Sequence, residues 1–460
     1  MPSADLIKAL KTALPPACIL EGDILANRPA ALGRSDTIQA PILLRPATTE
    51  EVSMVLRICH AHGQAVVTHG GLSSITHATD TTPDDVVLSL ERMRAIISID
   101  ATQRVAVVEA GATLKQVQEA ADAGGLLFPL DFGGRGSATL GGNAATNAGG
   151  NRVIRYGMAR DMILGLEVVL ADGNVLPAMN RMIKNNAGYD LKHLFIGSEG
   201  TLGVITKLVL RLREKLTRQD VALVAVPGFG ALTQLLRHMD SALGGGLSAF
   251  EVMWPEFYRL VTRPPAKGRA PLRDGYPLYV LIEAFSTDAA ADAERFNAAL
   301  EQALDQGLVA DAVIAKSQEE VEALWALRDD VGQIMQFGKP FCFDVSLPIA
   351  AMEDYVQSIT NSIAGRWPEH HLWVFGHVGD GNLHVGAHVL DESDAVRRAV
   401  EEIVYRPLQA VGGSVSAEHG IGLEKKGWLH LSRSPQEIAL MRTLKSALDP
   451  KGILNPGRIF

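Results

Sequence analysis

Cysteine is scarce in this chain. Cys18, Cys59 and Cys342 are the only three in 460 residues, and no two have CxxC spacing. That argues against a disulfide framework and against an iron–sulfur cluster, and it fits a reducing cytoplasm. Long apolar runs are also missing. None approaches the ~20 residues that a membrane-spanning helix needs, so no integral membrane segment is expected. Basic residues are the minority, 43 against 52 acidic, for a net charge of −9. Phosphate binding needs concentrated Lys and Arg, so nucleic acid is not an expected partner. Met1 to Leu20 has no basic start followed by an apolar stretch, and it carries Asp5 and no arginine. A secretory or transit peptide is therefore not expected there, and a cytoplasmic location is. No GxGxxG stands between a strand and a helix, which disfavours a Rossmann NAD fold.

What is present reads as a globular protein, 47% hydrophobic and 21% charged. The length implies two or three domains. Residues 1–35 read as an N-terminal helix and arm. From Ile42 onward strand and helix alternate. Glu50 to His62 has helical spacing of Val52, Val55, Leu56 and Cys59, with Thr49 as the expected N-cap. Gln64 to Thr68, Val86 to Leu90, Val105 to Glu109, Leu164 to Leu170 and Val204 to Leu212 read as strands. Leu114 to Ala123 reads as a helix, and Glu214 to Arg218 as a crossing between domains.

Farther on, strands are expected at Val221 to Val226, Ser248 to Met253, Leu278 to Ala284, Val309 to Ala315, Phe341 to Leu347 and Leu372 to Val378. A helix is expected over Ala290 to Leu304, and the charges from Asp288 to Glu301 would be its solvated face. Arg259 to Gly275 reads as a surface loop. The pattern is α+β, with an antiparallel sheet and helices on one face. The expected division is an arm at 1–35, a cofactor domain at 36–215, a cap domain at 216–415 and a C-terminal segment at 416–460.

Two glycine-rich segments could bring backbone N–H groups close to a pyrophosphate, where a Cβ would intrude. One is Thr68-His-Gly-Gly-Leu-Ser-Ser74; the other spans Gly133 to Gly150. Each is equally readable, by itself, as a set of turns. A third constellation is His377-Val-Gly-Asp-Gly-Asn-Leu-His384. Asp380-Gly381 is a two-residue hairpin signal. Such a turn would set Gly379 opposite Asn382, Val378 opposite Leu383 and His377 opposite His384. Directly opposed imidazoles could chelate one divalent ion, with zinc or manganese as the expected metal. Two histidines hydrogen-bonded beside a turn would give the same spacing. Ser416-Ala-Glu-His-Gly420 adds Glu418 and His419 in one short polar break.

The segment from Pro129 to Gly150 resembles the flavin-binding core of the vanillyl-alcohol oxidase / p-cresol methylhydroxylase superfamily. So do Arg160 to Gly173, Lys184 to Leu191 and Phe195 to Thr206. Within it the chain is similar to the D-lactate / D-2-hydroxyglutarate dehydrogenase branch, from about Pro46 to Gly457. The resemblance implies an FAD-binding domain of two α/β subdomains and a cap domain. It implies an FAD site formed by Gly70, Gly71, Leu72, Ser73, Ser74, Pro129, Gly141, Gly142, Ala145, Asn147, Gly149, Gly150, Gly203, Ile205 and Asn455. It implies metal ligands at His377, His384 and Glu418, with His419 as general base. Arg328 and Asn382, with His419, would bind substrate.

Some relatives link flavin covalently through a His after the first Gly-Gly. Leu72 stands there, so the FAD is expected to be non-covalent. Relatives place another glycine beyond that loop, where this chain has His77, and a basic or polar residue before it, where it has His69. Relatives specific for D-2-hydroxyglutarate carry Lys, Thr and Asn where this chain has Cys342, Gly332 and Gly386. The implied reaction is oxidation of a D-2-hydroxy acid, D-lactate or a similar monocarboxylic acid favoured. D-2-hydroxyglutarate dehydrogenation, a subunit of a multi-subunit glycolate oxidase and an oxygen-using oxidase are the alternatives. Electrons would pass to an electron-transfer flavoprotein, a cytochrome or a quinone, and a homodimer is an open alternative to a monomer.

Overall fold

A computed structural model describes residues 1–287 and 291–460 of the chain. They form two compact units. The first comprises Met1–Gly149, Gly157–Lys215 and Glu418–Phe460; the second comprises Gly150–Tyr156 and Leu216–Ala417. Residues 1–35 therefore do not stand apart as an arm but cluster with the first unit. Leu6 and Leu10 of the helix Ala4–Ala13 are buried. Gly150, expected in the cofactor domain, belongs with the second unit. The segment Gly150–Tyr156 is held there by Arg152, whose Nε donates to Glu283 at 3.1 Å. Arg155 also donates to the carbonyls of Gly246 and Phe285.

The first unit contains two main sheets. In the four-stranded sheet, Ile42–Leu44, Val86–Ser89 and Val66–His69 run parallel, with Ile19–Glu21 antiparallel at the edge. The three parallel strands are short runs rich in Val, Ile and Leu with most side chains buried, as a sheet covered on both faces requires. The five-stranded sheet is antiparallel, in the order Ile96–Asp100, Val105–Glu109, Val204–Arg211, Ile163–Val169, Val175–Ala178. The helix Thr49–His62 starts one residue earlier than the pattern suggested. Thr48, rather than Thr49, is its N-cap and accepts from the N–H of Glu51. Thr49 turns inward, and its hydroxyl donates to Glu167 at 2.5 Å. The chain returns at its end: Leu454 bridges Val66 in parallel fashion.

The second unit is built on one antiparallel seven-stranded sheet. Its order is Asp311–Ile314, Arg218–Val226, Leu278–Ser286, Leu247–Met253, His370–His377, Asn382–Val389, Phe341–Ser346. Helices cover both faces, not one. The central strands are buried along their whole apolar length rather than at alternate positions. One face packs the helices Pro255–Thr262 and Gln318–Asp329 against Leu223, Leu281 and Phe375. The helix Phe229–Leu243 also packs on Arg218–Val226 and Leu247–Met253. Pro255–Thr262 occupies part of what reads as a loop from Arg259. The helix Ala291–Asp305 has its expected start, Ala290 with Asp288, outside the described residues.

Candidate functional site

In the first unit, Gly70 to Ser74 follow directly from the strand Val66–His69. Gly71 is the tightest point: a Cβ there would lie 2.0 Å from the carbonyl oxygen of Ser137. A Cβ on Gly70 would lie 2.7 Å from Thr139 Oγ1. The two glycine segments are therefore packed on each other, and only bare backbone allows it. Leu72 takes a left-handed φ of 56°, and Ser74 Oγ lies 3.1 Å from Thr76 Oγ1. Gly141, Gly142 and Ala145 lie on the helix Leu140–Thr146, which Thr139 caps by accepting from Gly142 N–H. Pro129 is buried. Gly203 leads into the strand Val204–Arg211, on which Ile205 is buried.

Two side chains expected at the flavin are engaged in holding the backbone. Asn147 ends its helix with φ 52°, and its Oδ1 accepts from Arg160 N–H at 2.9 Å. Asn455 accepts from Thr68 N–H at 2.8 Å and donates to the Glu199 carbonyl at 2.6 Å. Thr68 Oγ1 and Asn143 Nδ2 are buried with no hydrogen-bond partner. Buried polar atoms are rarely left so. These two stand in the two glycine segments, so the residues present fit a polar ligand with the hydrogen-bonding groups of FAD.

Glu418 and His419 open the returning C-terminal segment of the same unit. A Cβ on Gly149 would meet the Glu418 carboxylate at 2.5 Å, so the glycine makes room for it. Just beyond, Glu199 accepts from the N–H groups of Ile421 and Gly422, at 2.7 and 2.8 Å. Glu199 itself is buried with a left-handed φ of 51°.

In the second unit the histidine pair forms, by a route different from the expected one. The strand register sets Phe375, not His377, opposite His384. Val378–Asp380 is a short 3₁₀ turn closed by Gly381 N–H on the Val378 carbonyl, and Gly381 is left-handed with φ 90°. The loop is thus longer than a two-residue turn, and the pairing slips by two. A slip of two keeps every side chain on its face of the sheet. His377 and His384 become diagonal neighbours with ring centroids 5.3 Å apart. Their ligand-type atoms lie within 4.8 Å of each other, as do those of Asp344 and His384. Asp344 faces His384 in register and accepts from Ala417 N–H at 3.1 Å. Asn382 donates to Asp344 at 2.9 Å and to the Val345 carbonyl, while its own Oδ1 is buried without a partner.

Arg328, on the helix Gln318–Asp329, is 5% exposed and so is not a solvated helical arginine. Its Nε donates to Glu251 at 2.6 Å, and its Nη2 is 3.4 Å from His377 Nε2. The guanidinium carbon stands 4.9 Å from the Phe375 ring centroid. Glu251 is the residue the sequence reading missed. Burial would raise its pKa, but the charges and hydrogen bonds of His377 and Arg328 outweigh that and hold it at about 2. Its one signal was a lone carboxylate inside an apolar strand, Leu247–Met253. The residues present fit a divalent ion: two imidazoles on one sheet face, one of them braced by a carboxylate.

Family models match most of the chain. "FAD linked oxidases, C-terminal domain" covers residues 215–459, and "FAD binding domain" covers 40–178. The chain belongs to the FAD-linked oxidase family. Its cofactor is FAD, and it is a flavoprotein oxidoreductase. It is 40% identical over 459 residues to a protein of Bos taurus named D-2-hydroxyglutarate dehydrogenase, mitochondrial, covering 100% of this chain and 84% of that one. It is 40% identical to the D-2-hydroxyglutarate dehydrogenase of Xanthomonas citri pv. viticola, over 90% of this chain and 88% of that one. Among solved structures it is similar to p-cresol methylhydroxylase with substrate bound, with TM-score 0.76, 17% identity, and 99% and 96% of the two chains covered. The fold is that of this superfamily, a mixed helix and sheet architecture.

Proposed function

We propose that this chain is an FAD- and divalent-metal-dependent dehydrogenase that oxidises a D-2-hydroxy acid to the 2-oxo acid. Its preferred substrates, in this reading, are D-lactate and related monocarboxylic acids. One arrangement carries the reading: a histidine pair and a buried arginine on a single face of the seven-stranded sheet. A 2-hydroxy acid carries the complementary groups. Its carboxylate suits a guanidinium fork, and its hydroxyl with one carboxylate oxygen suits a metal ion.

His377, His384 and Glu418 would hold the ion, zinc or manganese; Glu418 follows directly on Ala417, which is bonded to the Asp344 beside His384. When bound, the ion supplies Lewis acidity and FAD supplies the hydride acceptor. Arg328 binds the carboxylate, and the Oδ1 of Asn382 would accept from the acid's hydroxyl until that proton leaves for His419. His419 accepts the hydroxyl proton on a ring nitrogen, a step suited to an imidazole near neutral pH. Gly420 after it makes room for the Glu199 carboxylate, which a Cβ there would meet at 3.0 Å, and not for the acid. FAD is held without a covalent link, because Leu72 cannot form one. A separate redox protein, a cytochrome or a quinone takes the electrons.

The names of the relatives favour a second reading, D-2-hydroxyglutarate as substrate. Three positions speak for a tail without charge. Gly386 faces Cys342 on one neighbouring strand and Trp373 on the other. A Cβ on Gly386 would lie 3.4 Å from both Ile334 and Trp373, so Gly386 itself is backed by apolar groups. Gly332 adds no polar group. A second carboxylate buried there without partners would be costly.

The test is dye reduction by the purified chain with D-lactate, longer apolar D-2-hydroxy acids and D-2-hydroxyglutarate. Higher kcat/KM for the monocarboxylic acids is expected. His419→Ala should lower flavin reduction by about 10²–10⁴-fold, the usual worth of general-base catalysis. A kcat/KM favouring D-2-hydroxyglutarate over every monocarboxylic acid would overturn the specificity. Unimpaired flavin reduction in His419→Ala would overturn the base.

A further inference from the structure

The strand Leu247–Met253 buries one carboxylate, Glu251, completely. A charge so placed is no default source of stability. Replacing buried ion pairs with apolar side chains of similar volume is often neutral or stabilising. The retained charge therefore asks for a use, and its contacts name one. Strand pairing sets Glu251 directly opposite His377. Glu251 Oε1 lies 2.5 Å from His377 Nδ1, and its Oε2 lies 2.6 Å from Arg328 Nε. One carboxylate thus spans two side chains to which separate tasks were given above.

Nδ1 is the ring nitrogen of His377 that the Glu251 carboxylate engages. That leaves Nε2 as the ring nitrogen to face a ligand, and Arg328 Nη2 approaches it at 3.4 Å. The same carboxylate grips Arg328 by its Nε, and Nη2 of that guanidinium stands beside His377. We propose that Glu251 is a positioning residue that fixes His377 as an Nε2 metal donor and aims Arg328 at the same point. It couples ion and substrate carboxylate through one side chain. Carboxylates behind metal-binding histidines raise ligand basicity, and their loss typically costs 10–100-fold in metal affinity. The inference rests on the metal-dependent reading above.

Zinc is the probe. The holoprotein with FAD bound is stripped of metal and titrated with zinc against a chromophoric chelator, alongside His384→Ala and Glu251→Gln. Glu251→Gln keeps the shape but not the charge. It should bind zinc about 10–100-fold more weakly with its FAD content unchanged, and KM for the 2-hydroxy acid should rise. His384→Ala should bind none. If the unaltered protein binds no zinc, the metal reading itself fails. If it binds zinc and Glu251→Gln matches it within about threefold, this inference fails and the metal reading stands. A histidine ¹⁵N spectrum of the unaltered, zinc-loaded protein does not depend on how the variant folds. It should show His377, assigned by loss of its signals in His377→Gln, protonated at Nδ1 and metal-bound at Nε2. The opposite tautomer would overturn the proposal.

Discussion

His69 precedes the first glycine pair and is buried, with Nε2 2.9 Å from the Thr79 carbonyl. Burial depresses its pKa to about 4, only partly countered by that hydrogen bond. In the unfolded chain it titrates near 6.5. Below about pH 6.5 the unfolded chain takes up a proton that the folded chain refuses. The stability given by neutral His69 is therefore complete above that pH and falls as pH drops toward 4. Between pH 7 and pH 5 the loss should be about 2 kcal/mol, at about 1.4 kcal/mol per pKa unit. Urea unfolding of the holoprotein at the two pH values measures it. His69→Gln keeps a donor for Thr79 and should remove that share of the pH sensitivity. An equal loss in the variant would contradict the assignment. Nearby His77 holds a φ of 60°, a conformation that glycine adopts more readily.

At the scale of elements, Glu199 holds a segment that is far from it in sequence. Its carboxylate receives two backbone N–H groups from the segment that begins at Glu418 and His419. Hydrogen bonds to a charged acceptor are worth about 1.5–3 kcal/mol each. Glu199→Ala should free this segment and destabilise the chain by about 2–4 kcal/mol, at the low end of two such bonds because loop relaxation offsets part. Turnover should fall more than FAD content. Limited proteolysis with mapping of the cut sites would show new cleavage after Ala417. An unchanged cleavage pattern would mean that the latch is not needed.

Elements with strong period and clear caps were legible in the sequence. Val105–Glu109 and Leu114–Ala123 stand where the pattern set them. The strands Ile96–Asp100 and Val175–Ala178 were not, because each is half exposed and carries no apolar alternation to speak of. The hairpin between the histidines was legible as a hairpin but not in register. Asp-Gly favours a tight turn locally, and the 3₁₀ turn with left-handed Gly381 won instead. The histidine pair survived because a two-residue slip preserves the face. Glu251 was invisible for a different reason. Its partner strand, His370–His377, lies more than a hundred residues away, and no local pattern announces such a pairing.

For the whole molecule, family membership secures the flavin and the fold, and the chain's own residues carry the argument for the acid and the ion. Among the described residues no helix is long and apolar enough to cross a membrane. The central claim is that flavin reduction by a D-2-hydroxy acid needs both the FAD and the metal residues. The direct measurement is anaerobic mixing of the FAD-loaded protein with D-lactate, followed by the flavin's visible absorbance, before and after exhaustive chelation. The account predicts rapid bleaching, its loss on metal removal with the oxidised flavin spectrum intact, and its return with zinc or manganese. Bleaching at an undiminished rate in protein of negligible metal content would contradict it, as would no bleaching with any D-2-hydroxy acid.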